Sequence, residues 1–208
     1  MKGSMWVHFA QLFDTFLNEG DLTICEIGTH SGRSAEQFCG HLAQKPNVKF
    51  TYYGYDCFEL ATQDTKFNEL NGKGAGRLIV AQNRLNKITS PNFKFKLIKG
   101  WTQDTLKEAV FDFVYIDGGH SYETVKHDHE KVEQSKIVCF DDYQIPTVHQ
   151  YVNEYVEKHN IPKVDWDLEK IKNTDHTVWS MIPYGGRKAK RFVLGKPVSH
   201  RQPVIFRK

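Results

Sequence analysis

Segments patterned as β-strands alternate with segments patterned as amphipathic helices, and this alternation constrains the fold more than any other feature of the chain. Strands are predicted over residues 22–28, 49–56, 92–100, 111–117 and 136–142. Helices are predicted over residues 5–18, 31–44, 77–89, 102–109, 121–134 and 148–159. Strands that alternate with helices pair in parallel through right-handed crossovers, and the helices cover both faces of the sheet. We therefore expect a doubly wound α/β domain with a mostly parallel sheet.

The last part of the predicted domain differs from this pattern. Residues 166–171 and 177–182 are predicted to pair as a hairpin, which brings the sheet to seven strands with an antiparallel edge strand. A chain of 208 residues is close to the size of one domain. We expect a single domain over residues 1–186, beginning with an N-terminal helix within 1–19, followed by a basic tail at 187–208.

The predicted tail carries most of the positive charge. It contains eight basic residues and no acidic ones, whereas the rest of the chain has a net charge of −5. Such a tail suits an anionic partner such as nucleic acid or a phosphorylated glycan, or it is a solvated extension. Its apolar stretches, such as residues 203–206, indicate that it packs on something, for example on a second subunit of a homodimer.

Composition excludes several other classes of protein. Hydrophobic residues make up 39% of the chain and charged residues 25%, which are globular values. No run approaches ~18 apolar residues, so we expect no membrane span. His8, Gln11 and Asp14 interrupt the apolar N-terminal segment, which argues against a signal peptide. The chain has four cysteines, Cys25, Cys39, Cys57 and Cys139. Their spacing is not that of a disulfide framework, so we expect free thiols and a cytoplasmic location.

The ends of the first two strands have the features of a nucleoside site. In an open α/β sheet, ligands bind beyond the carboxyl ends of the strands. Glu26, Gly28 and Gly32 follow the pattern ExGxxxG, in which the glycines permit a tight turn and close approach of a ligand. Asp56 ends the second strand, near the position of an acid that binds ribose hydroxyls. The spacing GxGxxG is absent, which argues against a nicotinamide dehydrogenase, and Trp101 either stacks on a base or belongs to the core.

Acidic residues follow the fourth and fifth strands. Asp117 precedes two glycines and His120, and Asp141 and Asp142 end the fifth strand. If these carboxylates converge, they form a set of hard oxygen ligands for Mg²⁺ or another divalent cation. His120 then lies near the cation and is suited to general-base catalysis. In the alternative interpretation the acids cap strand-to-helix turns and His120 orients the loop.

Two further segments are predicted to lie near these strand ends. Residues 57–76 contain three glycines and are expected to form a lid that influences substrate choice. In the helix at 121–134, Ser121 is expected to be the N-cap, while His127 and His129 are expected to lie on a solvated face.

Four segments of the chain carry a family resemblance: CEIGTHSGRSA, YGYD, FDFVYIDGGHSYETVKHD and VCFDDY. With them the chain resembles class I S-adenosylmethionine-dependent methyltransferases, and most closely the macrocin-type sugar O-methyltransferases. The resemblance covers residues 20–145 and implies a Rossmann-like fold. It implies that Asp117, Asp141 and Asp142 hold a divalent metal ion, Mg²⁺ in the simplest case, and that His120 is the catalytic base. The residues expected to bind S-adenosylmethionine are Glu26, Gly28, Thr29, His30, Gly32, Ser34, Asp56, Cys57, Trp101 and Asp117.

The function expected from this resemblance is metal-assisted methyl transfer to a hydroxyl of a small molecule or sugar. One alternative is a metal-independent methyltransferase that acts on nucleic acid or protein, for which the basic tail would attract the substrate. The chain lacks the stripe of aromatic and basic residues typical of nucleic-acid binders, so we do not expect nucleic acid as a partner. The other alternative is a non-catalytic subunit that binds an adenosine ligand.

Overall fold

A seven-stranded sheet with the strand order β3-β2-β1-β4-β5-β7-β6 forms the centre of the molecule. A computed structural model describes residues 5–70, 72, 74–183 and 203–207. The strands are β1 (Gly20–Ile27), β2 (Val48–Asp56), β3 (Phe93–Lys99), β4 (Phe113–Ile116), β5 (Ile137–Phe140), β6 (Val178–Met181) and β7 (Pro203–Phe206). The helices are α1 (Met5–Phe16), α2 (Arg33–Leu42), α3 (Gln63–Asn68), α4 (Leu78–Leu85), α5 (Thr102–Thr105), α6 (Tyr122–Val132), α7 (Pro146–Lys158) and α8 (Leu168–Lys172).

The first five strands are parallel, as the alternating sequence pattern predicted. β1 pairs with β2 along its whole length and with β4 along its second half, which brings the carboxyl ends of all three strands to one edge of the sheet. β7 runs antiparallel to both β5 and β6. The predicted doubly wound, mostly parallel seven-stranded sheet is therefore confirmed.

The predicted hairpin at 166–171 and 177–182 is wrong. Residues 168–172 form helix α8, which Asp167 caps by accepting a hydrogen bond from the backbone N–H of Lys170 at 3.2 Å. β6 pairs instead with β7, whose residues the sequence analysis had assigned to the tail. The rest of that tail, apart from Arg207, lies outside the described residues.

Two apolar cores fill the space between the sheet and its helices. On one face, the aromatic rings of Phe9 and Phe13 from α1 and of Phe38 from α2 pack against Phe113 of β4. On the other face, α6 and α7 pack through their valines against β4 and β5. In the ranges that the structure describes, helices thus pack on both faces of the sheet.

Helix α6 is buried more deeply than the sequence analysis predicted. Asp128 and His129 are both buried, so the expectation of a solvated face at His129 is wrong. The ring of His129 packs against Phe140, and its Nδ1 lies 2.8 Å from the hydroxyl of Tyr151 on α7. Burial lowers the pKa of His129 to about 3, which keeps the ring neutral. None of the helices in the described ranges is both long and apolar enough to cross a membrane.

Candidate active site

A cavity of about 580 Å³ lies beyond the carboxyl ends of β1, β2 and β4. This volume is in the range of small-molecule and cofactor sites. The predicted site residues that line it are Gly28, Thr29, His30, Ser34, Asp56, Cys57, Trp101, Asp117 and His120. Among the other predicted residues, Glu26 and Gly32 do not line it, and Asp141 and Asp142 line a small adjoining cleft.

The turn after β1 requires glycine at position 28. Gly28 has a φ of +93°, a conformation that residues with a side chain rarely adopt. A Cβ at this position would lie 1.9 Å from the backbone carbonyl oxygen of Asp117. The loop after β1 therefore contacts the loop after β4 directly, and the two loops form adjacent walls of the cavity.

Asp56, at the end of β2, fixes the conformation of the loops around it. Its carboxylate accepts hydrogen bonds from the backbone N–H of His30, at 2.8 Å, and from that of Phe58. Burial raises the pKa of Asp56, although these two hydrogen bonds act in the opposite direction. A carboxylate has about four lone-pair sites, so Asp56 keeps acceptor capacity for a ligand hydroxyl.

Glu26 lies beneath the cavity and contributes to its support. It is 1% exposed and accepts a hydrogen bond from the hydroxyl of Tyr52, which lies 3.3 Å from the hydroxyl of Thr29. Burial raises the pKa of Glu26 to about 8, with a smaller contribution from the negative charge of Asp56. The hydrogen bonds from Glu26 through Tyr52 thus help to fix the side chain of Thr29, which lines the cavity.

The loop after β4 carries His120. The Nε2 atom of His120 lies 2.9 Å from a carboxylate oxygen of Asp142, and its backbone carbonyl accepts a hydrogen bond from the hydroxyl of Thr147. The Nδ1 atom is buried and has no hydrogen-bond partner among the described residues. A carboxylate paired with one ring nitrogen orients the imidazole.

The predicted acids are only partly brought together. Ligand atoms of Asp117, His120 and Asp142 lie within 4.8 Å of one another, a spacing that can hold a metal ion. Asp141 is not part of this group, because its carboxylate accepts hydrogen bonds from the hydroxyl of Tyr115 and from the backbone N–H of Asp142. The backbone at Asp142 has a φ of +52°, in the left-handed region that residues with a side chain seldom adopt.

Asp128 lines the same cavity and was missed by the sequence analysis. It is 1% exposed, and within the described part of the chain no group makes a hydrogen bond of normal geometry with either carboxylate oxygen. Burial raises its pKa to about 7, while the nearby hydroxyl of Thr102 acts in the opposite direction. The signal was present in the sequence, since residues 125, 128, 129 and 132 have the spacing of one buried helix face.

Glu69, in the segment 57–76 that was expected to form a lid, also lines the cavity without having been predicted individually. Its backbone carbonyl accepts a hydrogen bond from the N–H of His120 at 3.2 Å, and its carboxylate accepts one from the N–H of Ser121 at 3.0 Å. No local sequence pattern indicated this contact, because the partners are more than 50 residues apart.

Comparisons with known proteins agree with this architecture. Residues 25–143 match a family model described as a methyltransferase domain, whereas no curated protein matches the sequence. The O-methyltransferase NovP has a similar structure with a TM-score of 0.59 and 18% identity, over 75% of this chain and 72% of that one. A putative rRNA methylase from Clostridium thermocellum is similar with a TM-score of 0.55 and 13% identity, over 100% of this chain and 99% of that one. The O-methyltransferase TomG from Streptomyces achromogenes, in complex with SAM, is similar with a TM-score of 0.50 and 15% identity, over 96% of this chain and 78% of that one.

Proposed function

The chain belongs to the family of the methyltransferase domain matched by residues 25–143, and from this premise we propose that it is an S-adenosylmethionine-dependent O-methyltransferase. The acceptor we propose is a hydroxyl of a small molecule. The observation that carries the proposal is the 580 Å³ cavity whose walls are the loops after β1, β2 and β4. NovP and TomG, which share the fold, are themselves described as O-methyltransferases.

The residues around the cavity fit the proposed cofactor. Gly28 has no side chain, which lets the loops after β1 and β4 meet in the wall of the cavity. Asp56 offers carboxylate oxygens to ribose hydroxyls, and Trp101 offers an aromatic surface to the base. In this assignment Glu26 and Gly32 act indirectly, by supporting the loop that contains Thr29 and His30. When bound, the cofactor supplies an electrophilic methyl group.

A divalent cation fits the acids on the other side of the cavity. We assign Asp117 and Asp142 as its ligands, because carboxylate oxygens are preferred by Mg²⁺ and these two lie in the group that spans 4.8 Å. Asp141 orients the backbone of Asp142 through its hydrogen bond at 2.7 Å. When bound, the cation lowers the pKa of an acceptor hydroxyl.

His120 is the residue we assign to proton transfer. Asp142 holds the imidazole through Nε2, and His120 lines the cavity in which the acceptor hydroxyl would give up its proton. The cavity walls align the hydroxyl oxygen with the methyl group and exclude water. Because a ring nitrogen of His120 belongs to the same group of possible ligand atoms, a role of His120 as a third metal ligand is the competing assignment.

The proposal is tested by calorimetric titration of S-adenosylhomocysteine into the protein, with Mg²⁺ and after chelation. We expect micromolar-range binding and a separate heat signal for Mg²⁺. Absence of binding under every condition would refute the cofactor assignment.

A His120→Ala variant separates the two roles of His120. If His120 is the base, the variant keeps both ligands and loses methyl transfer to a model diol such as catechol. If it loses the Mg²⁺ signal instead, His120 is a metal ligand and the base must be sought elsewhere.

The basic tail favours one second candidate, a metal-independent methyltransferase with an anionic substrate such as nucleic acid or protein. It predicts binding that weakens steeply with salt and is unaffected by chelators. We also keep two finer proposals. The first is that the acceptor is a sugar, as the macrocin-type resemblance implies, and methylation of a simple glycoside tests it. The second is that the protein is a homodimer, which sedimentation analysis tests.

A further inference from the structure

The lid, residues 57–76, is joined to the loops on both sides of the cavity. At its beginning, the Glu59 carboxylate accepts hydrogen bonds from the N–H of Leu78 at 2.9 Å and from Lys99 at 2.7 Å. Towards its end, the carbonyl oxygen of Gly74 lies 2.8 Å from Nε2 of His30. Between these points, Glu69 contacts the loop after β4. The described part of the lid is therefore attached to the loop after β1, to the end of β3 and to the loop after β4.

Glu69 provides three hydrogen-bond acceptors to the segment that begins at His120. Its backbone carbonyl accepts from the N–H of His120 at 3.2 Å. One carboxylate oxygen accepts from the N–H of Ser121 at 3.0 Å, and the other from the hydroxyl of Thr124 at 3.3 Å. The carboxylate thus lies at the N-terminus of α6, where a negative charge is favourable and the first N–H groups need partners.

Gly119 makes this approach feasible. A Cβ at position 119 would lie 2.6 Å from the nearer carboxylate oxygen of Glu69 and 2.7 Å from the side chain of Thr124. The second glycine before His120 therefore leaves the space that the lid carboxylate occupies.

Apolar packing contributes little to this attachment. Helix α3, which precedes Glu69, has no buried residues, and Phe67 on it is 82% exposed. From the other side, His120 is held by Thr147 and Asp142. The hydrogen bonds of Glu69 are thus the polar contacts through which the lid holds His120 in place.

We propose that Glu69 is a positioning residue, which sets the place of His120 by holding the loop from Gly119 to Thr124. The inference rests on the proposed function, because it assigns to the lid the alignment of the base in methyl transfer. Displacing a catalytic group by about 1 Å can lower the rate on the order of 100-fold without weakening ligand binding.

The experiment compares Glu69→Ala and Glu69→Gln with a matched control, Asp64→Asn. Asp64 is an exposed acid on α3, and its carboxyl makes no hydrogen bond or ion pair with the described residues. Each variant is tested for binding of S-adenosylhomocysteine, for the kcat and KM of methyl transfer to catechol, and for hydrogen exchange of the Ser121 amide.

In Glu69→Ala we expect kcat to fall by about 10- to 100-fold, the affinity for S-adenosylhomocysteine to change less than about threefold, and the Ser121 amide to exchange faster. Glu69→Gln keeps an acceptor oxygen but lacks the charge, so its kcat should lie between those of Glu69→Ala and the wild type. Asp64→Asn should match the wild type in all three measurements.

Two results would overturn the inference. One is a Ser121 amide that exchanges equally fast in Glu69→Ala and the wild type, which decides the matter even if catechol is not an acceptor. The other is a loss of affinity for S-adenosylhomocysteine as large as the loss of kcat, because Glu69 would then be a ligand contact. If the wild type itself fails to bind S-adenosylhomocysteine, the proposed function fails, while the amide exchange still tests the contact.

Discussion

Replacing Asp128 by asparagine should stabilise the protein at alkaline pH. The carboxyl of Asp128 is buried, and the pKa of this group rises from 3.8 to about 7 on folding. A carboxyl with a raised pKa in the folded state binds its proton more tightly there than in the unfolded chain. Its ionisation therefore destabilises the fold progressively as the pH rises from about 4 to 7.

The magnitude follows from the shift. One pKa unit corresponds to about 1.4 kcal/mol, so a shift of about three units corresponds to ~4 kcal/mol at pH 8. Asparagine is nearly isosteric and cannot ionise, so the variant escapes this cost, although a buried amide without partners keeps a cost of its own. We expect a gain on the order of 2–4 kcal/mol at pH 8 and almost none at pH 4.

Urea unfolding monitored by tryptophan fluorescence, at pH 4, 6 and 8, measures the effect. Asp64→Asn is the matched control, because it makes the same chemical change at an exposed position and should leave the midpoint unchanged at each pH. If Asp128→Asn is less stable than the wild type at pH 8, the carboxylate is paired in the folded protein. The assignment of its raised pKa to burial would then be wrong.

Two further variants test the walls of the cavity. Gly28→Ala should abolish binding of S-adenosylhomocysteine in calorimetry, because the added Cβ would lie 1.9 Å from the Asp117 carbonyl oxygen. The control Gly40→Ala should bind normally, because a Cβ at this position of α2 meets nothing within 4 Å. Equal binding by both variants would show that the loop after β1 relaxes easily. Tyr52→Phe removes the hydroxyl that donates to buried Glu26 and should lower the free energy of unfolding by about 1–3 kcal/mol in urea titrations at pH 7. An unchanged unfolding midpoint would mean that Glu26 finds another donor.

The central strands could be predicted from the sequence because their pattern is local. Each of the first five strands is a short segment rich in aromatic, β-branched or other apolar residues and bounded by turn residues. Both β1 and β2 begin and end within two residues of the predicted positions. The antiparallel pair was not predictable in this way. β6 pairs with β7, which follows it by more than 20 residues, and such a pairing has no local pattern.

The candidate site was predicted in part for the same reason. The tips of β1, β2 and β4 follow from the strand order, so Gly28, Asp56 and Asp117 could be expected to face one cavity. Asp142 joins the group of possible metal ligands while the Asp141 carboxylate bonds to Tyr115, and this difference depends on a turn with a positive φ at Asp142 that the sequence does not reveal. Asp128 was missed because charged neighbours in α6 concealed a buried helix face.

The position of β7 has a consequence for how the chain acquires its structure during synthesis. β7 follows the other six described strands along the chain, yet it lies between β5 and β6 and not at an edge of the sheet. While the ribosome is still adding residues before 203, β5 presents an unpaired edge and β6 lacks its strand partner. A nascent chain in this state exposes a template for pairing with other chains. Translation that stalls shortly before β7 should therefore yield an aggregation-prone intermediate that still has most of its parallel strands.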